Sequence, residues 1–164
     1  MPKAACIESL RDGQLTRKKS PLFQGCYKLK EAITEFSNIS AELDRIKAVR
    51  LKKESPYTLR HCTSEDAHIW IRKIPAHVAH CLGRNVLPSL LASVYEGAQP
   101  EKVCKAYLDL SHRCQALANS MDSVMQDAGN KTLQACDLLK PQIEVAIQLA
   151  RQALSVADPH ERWN

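Results

Sequence analysis

The sequence contains no long apolar run, and that absence argues against a membrane-spanning protein. No segment approaches the roughly 18 consecutive apolar residues that a helix needs to cross a membrane, and residues 1–20 carry no apolar stretch typical of a signal peptide. We therefore expect no membrane span. The 164 residues fit a single domain, and 45% apolar and 25% charged residues are ordinary values for a globular protein.

Motifs of the common enzyme classes are also missing. The chain has no Walker glycine loop, no G-x-G-x-x-G, no G-x-S-x-G and no H-E-x-x-H. We predict no catalytic residue and favour a non-enzymatic function, although a cysteine and a histidine that are distant in sequence can still form a catalytic couple. Strand signals are scarce as well, because no Asn-Gly or Asp-Gly turn joins two alternating runs.

Helical periodicity is what the chain does contain. Apolar residues follow a 4-3 spacing, with no charge among them, at Val103, Tyr107, Leu110, Cys114, Leu117, Met121, Val124 and Ala128. This spacing predicts a helix over about 101–128 that packs one face against its neighbours, as in a coiled coil. Gly129 and Asn130 follow it as a stop signal.

Two more helices are predicted before this one. The first runs from about 21 to 53, with Ser20 as its cap and Pro21 in its first turn. The second begins near Thr63, and we expect it to be broken, by a kink or a split, near Pro75 and again near Pro88, because proline removes a helical hydrogen bond and crowds the preceding turn.

A fourth helix over about 131–157, bent at Pro141, completes the fold. Its inward face is predicted to consist of Leu133, Cys136, Leu139, Ile143, Ala146, Ile147, Ala150 and Leu154. The sequence thus predicts an all-α fold, an antiparallel four-helix-type bundle with a long first helix and a Pro-broken second helix. The bundle domain spans 21–158, between an N-terminal tail at 1–20 and a C-terminal tail at 159–164.

The seven cysteines do not form a disulfide framework. Cys26, Cys114 and Cys136 fall on predicted apolar faces, where a thiol behaves as a small hydrophobic group. An odd number leaves at least one cysteine unpaired. This placement favours reduced thiols and a cytoplasmic location.

Histidines and cysteines are concentrated between positions 61 and 81. His77 and Cys81 are four residues apart, so one turn of a helix can present both to zinc or a similar metal. The remaining ligands would come from His61, Cys62 or His68. The spacing matches no known zinc motif, and the alternative is an amphipathic helix with surface histidines and a buried Cys81. No other cofactor is predicted.

The excess of positive over negative charge lies entirely in the first third of the chain. Residues 1–60 hold 13 lysines and arginines against 7 acidic residues, whereas residues 61–164 hold 10 against 11. The candidates for contact with nucleic acid or another anionic partner are Arg45, Lys47, Arg50, Lys52 and Lys53. Their positions spread around the helix, so the alternative is a solvated helix end.

Three functions are therefore open at the level of sequence. The leading hypothesis is a non-enzymatic helical-bundle protein that acts through protein–protein interaction, with an unidentified partner and with self-association as a further option. A nucleic-acid-binding or nucleic-acid-processing bundle would use the basic first third. A metal-binding bundle would use the histidines and cysteines at 61–81.

Overall fold

The computed structural model describes residues 20–52 and 64–159, and within them the chain forms four helices. These are α1 (Pro21–Arg50), α2 (Ser64–Tyr95), α3 (Pro100–Ala128) and α4 (Thr132–Ala157). No strand occurs among these residues. The predicted all-α four-helix bundle is confirmed, while the predicted tails lie almost wholly outside the described residues.

Helix α1 begins as predicted and ends slightly early. Phe23 N donates a hydrogen bond to Ser20 Oγ at 3.0 Å, which identifies Ser20 as the cap. The helix ends at Arg50 rather than at 53, because the chain turns at Leu51 and Lys52. Lys52 has a φ of 60°, a left-handed conformation that a continuing α-helix does not allow.

The prediction that the second helix is split at its prolines is wrong. Helix α2 runs through both Pro75 and Pro88, although each proline lacks an N–H donor and disfavours a helix interior by roughly 3 kcal/mol. Buried apolar side chains flank both positions, and they are Ile74, Val78, Val86 and Leu90. Packing of this face against the other helices outweighs the local preference of the two prolines.

Helix α3 presents the predicted apolar face to the core. Five positions of the 4-3 repeat are buried, and they are Val103, Leu110, Leu117, Met121 and Ala128. The other three, Tyr107, Cys114 and Val124, are partly buried and pack against the same core. Gly129, with a φ of 54°, follows the last residue of the helix.

Helix α4 also follows the predicted pattern. Its inward residues are buried apart from Leu133, which is half-buried, and the helix continues through Pro141. α1 packs against α2 and α4, α3 packs against the same two helices, and α2 also touches α4 across the bundle. α1 and α2 are antiparallel, because Gly25 lies against Ser89 and the later Glu35 lies against the earlier His77. α1 and α4 are antiparallel in the same way, with Asp44 at Lys140 and Arg50 at Thr132.

The burial of the cysteines agrees with this packing. Cys26 and Cys136 are buried and Cys114 is partly buried, and all five cysteines in the described part of the chain are free thiols. Burial raises the pKa of the Cys136 thiol to about 11.

None of the described helices is apolar enough over a sufficient length to span a membrane.

Candidate metal centre

Three side chains with metal-ligating atoms meet at the edge between α1 and α2. His77 Nε2 lies 2.5 Å from Glu35 Oε1. Cys81 Sγ lies 3.6 Å from His77 Nε2 and 4.0 Å from Glu35 Oε2. One ligand atom from each residue can be chosen so that all three lie within 4.8 Å of one another. We call this group the Glu35–His77–Cys81 cluster.

The helices fix the cluster from both sides. His77 and Cys81 are one turn apart, so they lie on the same face of α2. Glu35 reaches them from α1, and the adjacent Phe36 is fully buried. Val78 and Leu82, which follow the two α2 ligands, are also buried. The three side chains are therefore held by packed helices rather than by loops.

Solvent reaches the cluster. The side chains of Glu35 and His77 are 48% and 44% exposed, and Cys81 is half-buried. Burial raises the pKa of the Cys81 thiol, the negative charge of Glu35 raises it further, and the charge of Arg84 opposes both. The thiol therefore carries its proton at neutral pH and is not an activated nucleophile.

The geometry also differs from that of a catalytic triad. In a triad the acid and the nucleophile bond to opposite nitrogens of the histidine ring. Here Glu35 and Cys81 both approach Nε2 of His77, and a single ring nitrogen cannot bond well to both. Atoms of sulfur, nitrogen and oxygen that face one point are instead suited to binding a metal ion such as zinc.

The structure brings together only part of the predicted metal-binding group. His77 and Cys81 meet as expected, whereas His68 accepts a hydrogen bond from Arg72 Nε at 2.9 Å. His68 precedes His77 by nine residues, or roughly 13 Å along the helix axis, so it does not join them. His61 and Cys62 lie outside the described residues.

Glu35 is the ligand that the sequence analysis missed. It lies 42 positions before His77, on a helix with several exposed acidic residues. No local pattern marks it, because its proximity to His77 depends on how α1 pairs with α2.

Two of the five predicted basic residues contact α4. Lys47 Nζ donates to Asp137 Oδ1 at 2.7 Å, and Arg50 Nη2 donates to Thr132 Oγ1 at 3.3 Å. The hydrogen bond to Asp137 and its negative charge raise the pKa of Lys47. Within the bundle, these two cations contact polar groups of α4.

The remaining members of the basic group are arranged differently. Arg45 Nη1 lies 3.9 Å from Glu42 Oε2. Lys52 is exposed in the turn after α1, and Lys53 lies outside the described residues. Of the four predicted basic residues that the structure describes, Lys47 and Arg50 contact α4, Arg45 lies near Glu42, and Lys52 lies in the turn.

Exposed apolar side chains are distributed over several helices. Tyr95 is 88% exposed and Leu91, one turn earlier on α2, is 50% exposed. Others lie elsewhere, at Tyr27 on α1, Leu108 on α3 and Val145 on α4. Scattered apolar residues are normal on a protein surface and do not by themselves define an interface. Binding of a protein partner stays a prediction.

Comparison with known proteins adds no family to this picture. The chain matches no protein-family model, no curated protein and no solved structure at a significant level. The Glu35–His77–Cys81 cluster must therefore be interpreted from its own chemistry.

Proposed function

We propose that the protein is a non-enzymatic helical bundle that binds a divalent transition-metal ion, with zinc as the best fit, between α1 and α2. One observation supports this function above the others. Ligand atoms of Glu35, His77 and Cys81 lie within 4.8 Å of one another. The ion would join the two helices at this edge of the bundle.

The distances suit zinc after a small adjustment. With bonds of about 2.0 Å to nitrogen or oxygen and 2.3 Å to sulfur, tetrahedral zinc places its ligand atoms roughly 3.3 to 3.6 Å apart. The sulfur distances of 3.6 and 4.0 Å are close to this range. The 2.5 Å contact between Glu35 and His77 must lengthen, which rotation of the exposed Glu35 side chain can provide.

The donor set also favours zinc over magnesium or calcium. Magnesium and calcium take oxygen ligands almost exclusively, whereas zinc accepts imidazole, thiolate and carboxylate in one site. Binding requires Cys81 as a thiolate and His77 Nε2 without a proton. The ion would replace the short contact between His77 and Glu35 as the link between the helices.

Titration with Co²⁺ tests the proposal directly, because thiolate coordination to cobalt gives a charge-transfer absorption band. We expect wild-type protein, purified without a chelator and then stripped, to bind Co²⁺ in a 1:1 complex that Zn²⁺ displaces. His77→Ala, Cys81→Ser and Glu35→Gln should each weaken Co²⁺ binding at least tenfold, and Cys81→Ser should also remove the thiolate band.

Two matched controls separate this site from general histidine and cysteine chemistry. His80→Ala removes an exposed histidine of α2 next to Cys81, and Cys104→Ser removes an exposed cysteine of α3. Both variants should bind Co²⁺ like the wild type, and circular dichroism should show native helicity in every variant. Equal affinity in the ligand variants and the controls would refute the proposal.

A further inference from the structure

The described residues supply three ligands, which leaves one position of a tetrahedral ion for another ligand. The side chains of Glu35 and His77 are 48% and 44% exposed, so a small molecule from solution can reach an ion held there. Zinc sites with three protein ligands generally hold an exchangeable fourth ligand, whereas purely structural sites have four protein ligands. The side chains around the open position therefore determine what else the ion can bind.

Arg84 is a cation on the face of α2 that carries His77 and Cys81. It follows Cys81 by three residues and His77 by seven, which places all three on one face of α2. Its charge lowers the pKa of the Cys81 thiol, as expected for a guanidinium close to the sulfur. Arg84 is exposed and makes no hydrogen bond or ion pair with another residue in the described part of the chain.

The charges of the loaded site favour an anion. A zinc ion bound by a thiolate, a carboxylate and a neutral imidazole has no net charge. Arg84 adds one positive charge beside it, and its planar guanidinium forms paired hydrogen bonds with carboxylate or phosphate oxygens. An oxyanion that bridges the ion and Arg84 would fill the fourth position on the ion and accept hydrogen bonds from the guanidinium.

We infer, on the basis of the proposed metal site, that the bound ion and Arg84 together bind an oxyanion. One oxygen of a carboxylate or phosphate group occupies the fourth position on the ion. A second oxygen accepts hydrogen bonds from the guanidinium of Arg84. The two ligand classes share this chemistry, and they differ in the number and arrangement of oxygens.

The test uses the Co²⁺-loaded full chain, with sodium acetate and sodium phosphate as probes. The visible spectrum of the bound cobalt reports a change of its fourth ligand. We expect at least one of the two anions to shift this spectrum saturably, at constant ionic strength set with sodium perchlorate. In Arg84→Gln, the concentration for half-saturation should rise at least tenfold, while affinity for Co²⁺ stays within a few-fold of wild type.

Lys102→Gln provides the control. Lys102 is an exposed cation on α3, a helix that contributes no ligand to the cluster, so its removal should leave the anion response unchanged. A response to phosphate alone would identify a phosphate-type ligand, and a response to acetate a carboxylate-type ligand.

Failure of the inference can be told from failure of the metal site. If Co²⁺ binds but neither anion alters its spectrum, or if Arg84→Gln responds like the wild type, the inference is wrong and the metal site stands. If wild-type protein does not bind Co²⁺, the proposed function is wrong and the inference falls with it.

Discussion

The two polar edges of α1 differ in what they bring together. At the edge with α4, lysine side chains donate to oxygen acceptors. Lys140 Nζ, for example, lies 2.7 Å from Asp44 Oδ2 and 2.8 Å from Ser40 Oγ. At the edge with α2, Glu35 and Cys81 both approach one nitrogen of His77. The first edge holds lysine–carboxylate contacts, whereas the second holds a histidine–carboxylate contact with a thiol beside it.

The two edges differ in where the positive charge that pairs with their carboxylates comes from. Lysine side chains supply the cation at the edge with α4, so the carboxylates there are already matched within the protein. The edge with α2 has a carboxylate, an imidazole and a thiol in contact, and a cation from solution can complete it. Similar polar residues at two edges of one helix thus form an ion-pair contact at one edge and the proposed metal site at the other.

Both edges rest on the same core, so the largest expected effect comes from damaging that core. Leu117 of α3 is 4% exposed, and Leu117→Ala removes buried methyl groups and leaves a cavity. We expect the free energy of unfolding to fall by about 2 to 5 kcal/mol, measured by chemical denaturation followed by circular dichroism.

Leu108→Ala is the control for this change. Leu108 lies on the same helix but is 56% exposed, so the same substitution should change the free energy of unfolding by less than about 0.5 kcal/mol. Equal effects of the two substitutions would show that the 4-3 repeat does not define the buried face.

Zinc should stabilise one edge and leave the other unaffected. At a free Zn²⁺ concentration 100 times its Kd, binding to the native state alone raises the free energy of unfolding by about 2.7 kcal/mol. Thermal or chemical unfolding with and without Zn²⁺ measures this increment. Glu35→Gln should lose it, whereas Asp44→Asn, at the edge with α4, should retain it in full. Loss of the increment in both variants would contradict a site confined to α1 and α2.

A third, smaller loss of stability is expected from a substitution at Gly25, where α1 lies close to α2. A Cβ added at Gly25 would lie 2.8 Å from Ser89 Oγ and 3.0 Å from Ser89 Cα, so the two helices must move apart. Gly25→Ala should lower the free energy of unfolding by about 1 to 3 kcal/mol and weaken Co²⁺ binding, since Glu35 lies on the displaced helix.

Gly83→Ala, the same substitution elsewhere in the bundle, should change the free energy of unfolding in the opposite direction. A Cβ at Gly83 would have no neighbour within 4 Å, and alanine favours a helix interior over glycine by about 0.5 to 1 kcal/mol. We expect a modest gain in the free energy of unfolding. Destabilisation by both substitutions would mean that the contact with Ser89 is not the cause at Gly25.

Features encoded locally were predictable from the sequence. Ser20 and Gly129 mark helix ends through their own chemistry, and they do so in the structure. The burial of Leu110 and Leu117 follows from a spacing that any helix must obey. The pairing of His77 with Cys81 follows in the same way, because four residues make about one turn.

Features that depend on packing were not predictable. Pro75 and Pro88 stay within α2 because neighbouring helices cover the apolar residues around them, and local preference contains no information about those neighbours. Glu35 resembles the other exposed acidic residues of α1. Only the alignment of α1 with α2 selects it as the carboxylate next to His77.

The ion pair between Lys140 and Asp44 should contribute little to stability. Asp44 is largely exposed at 63%, and exposed pairs are typically worth about 0.2 to 1 kcal/mol. A double-mutant cycle with Lys140→Met and Asp44→Asn measures the coupling, which should decrease as salt is added. A coupling above about 2 kcal/mol would show that this edge is more than a surface contact.

The smallest expected effect concerns nucleic acid, for which we predict no measurable binding at physiological salt. Lys47 and Arg50 already contact α4, and Arg45 lies near Glu42, so few of the basic residues are available to phosphates. A titration of duplex and single-stranded nucleic acid over a salt series, followed by fluorescence anisotropy, measures this.

Binding through the basic residues would have a recognisable salt dependence. Each phosphate contact contributes roughly −0.7 to −0.9 to the slope of log K against log salt concentration, so even three contacts give a steep decline. Exchanging Lys52 and Lys53 for glutamate should then weaken binding further without disturbing the core, because Lys52 lies beyond the end of α1. Micromolar affinity with this dependence would make the basic end of α1 a nucleic-acid interface, and the edge with α4 would have to release Lys47 and Arg50 to form it.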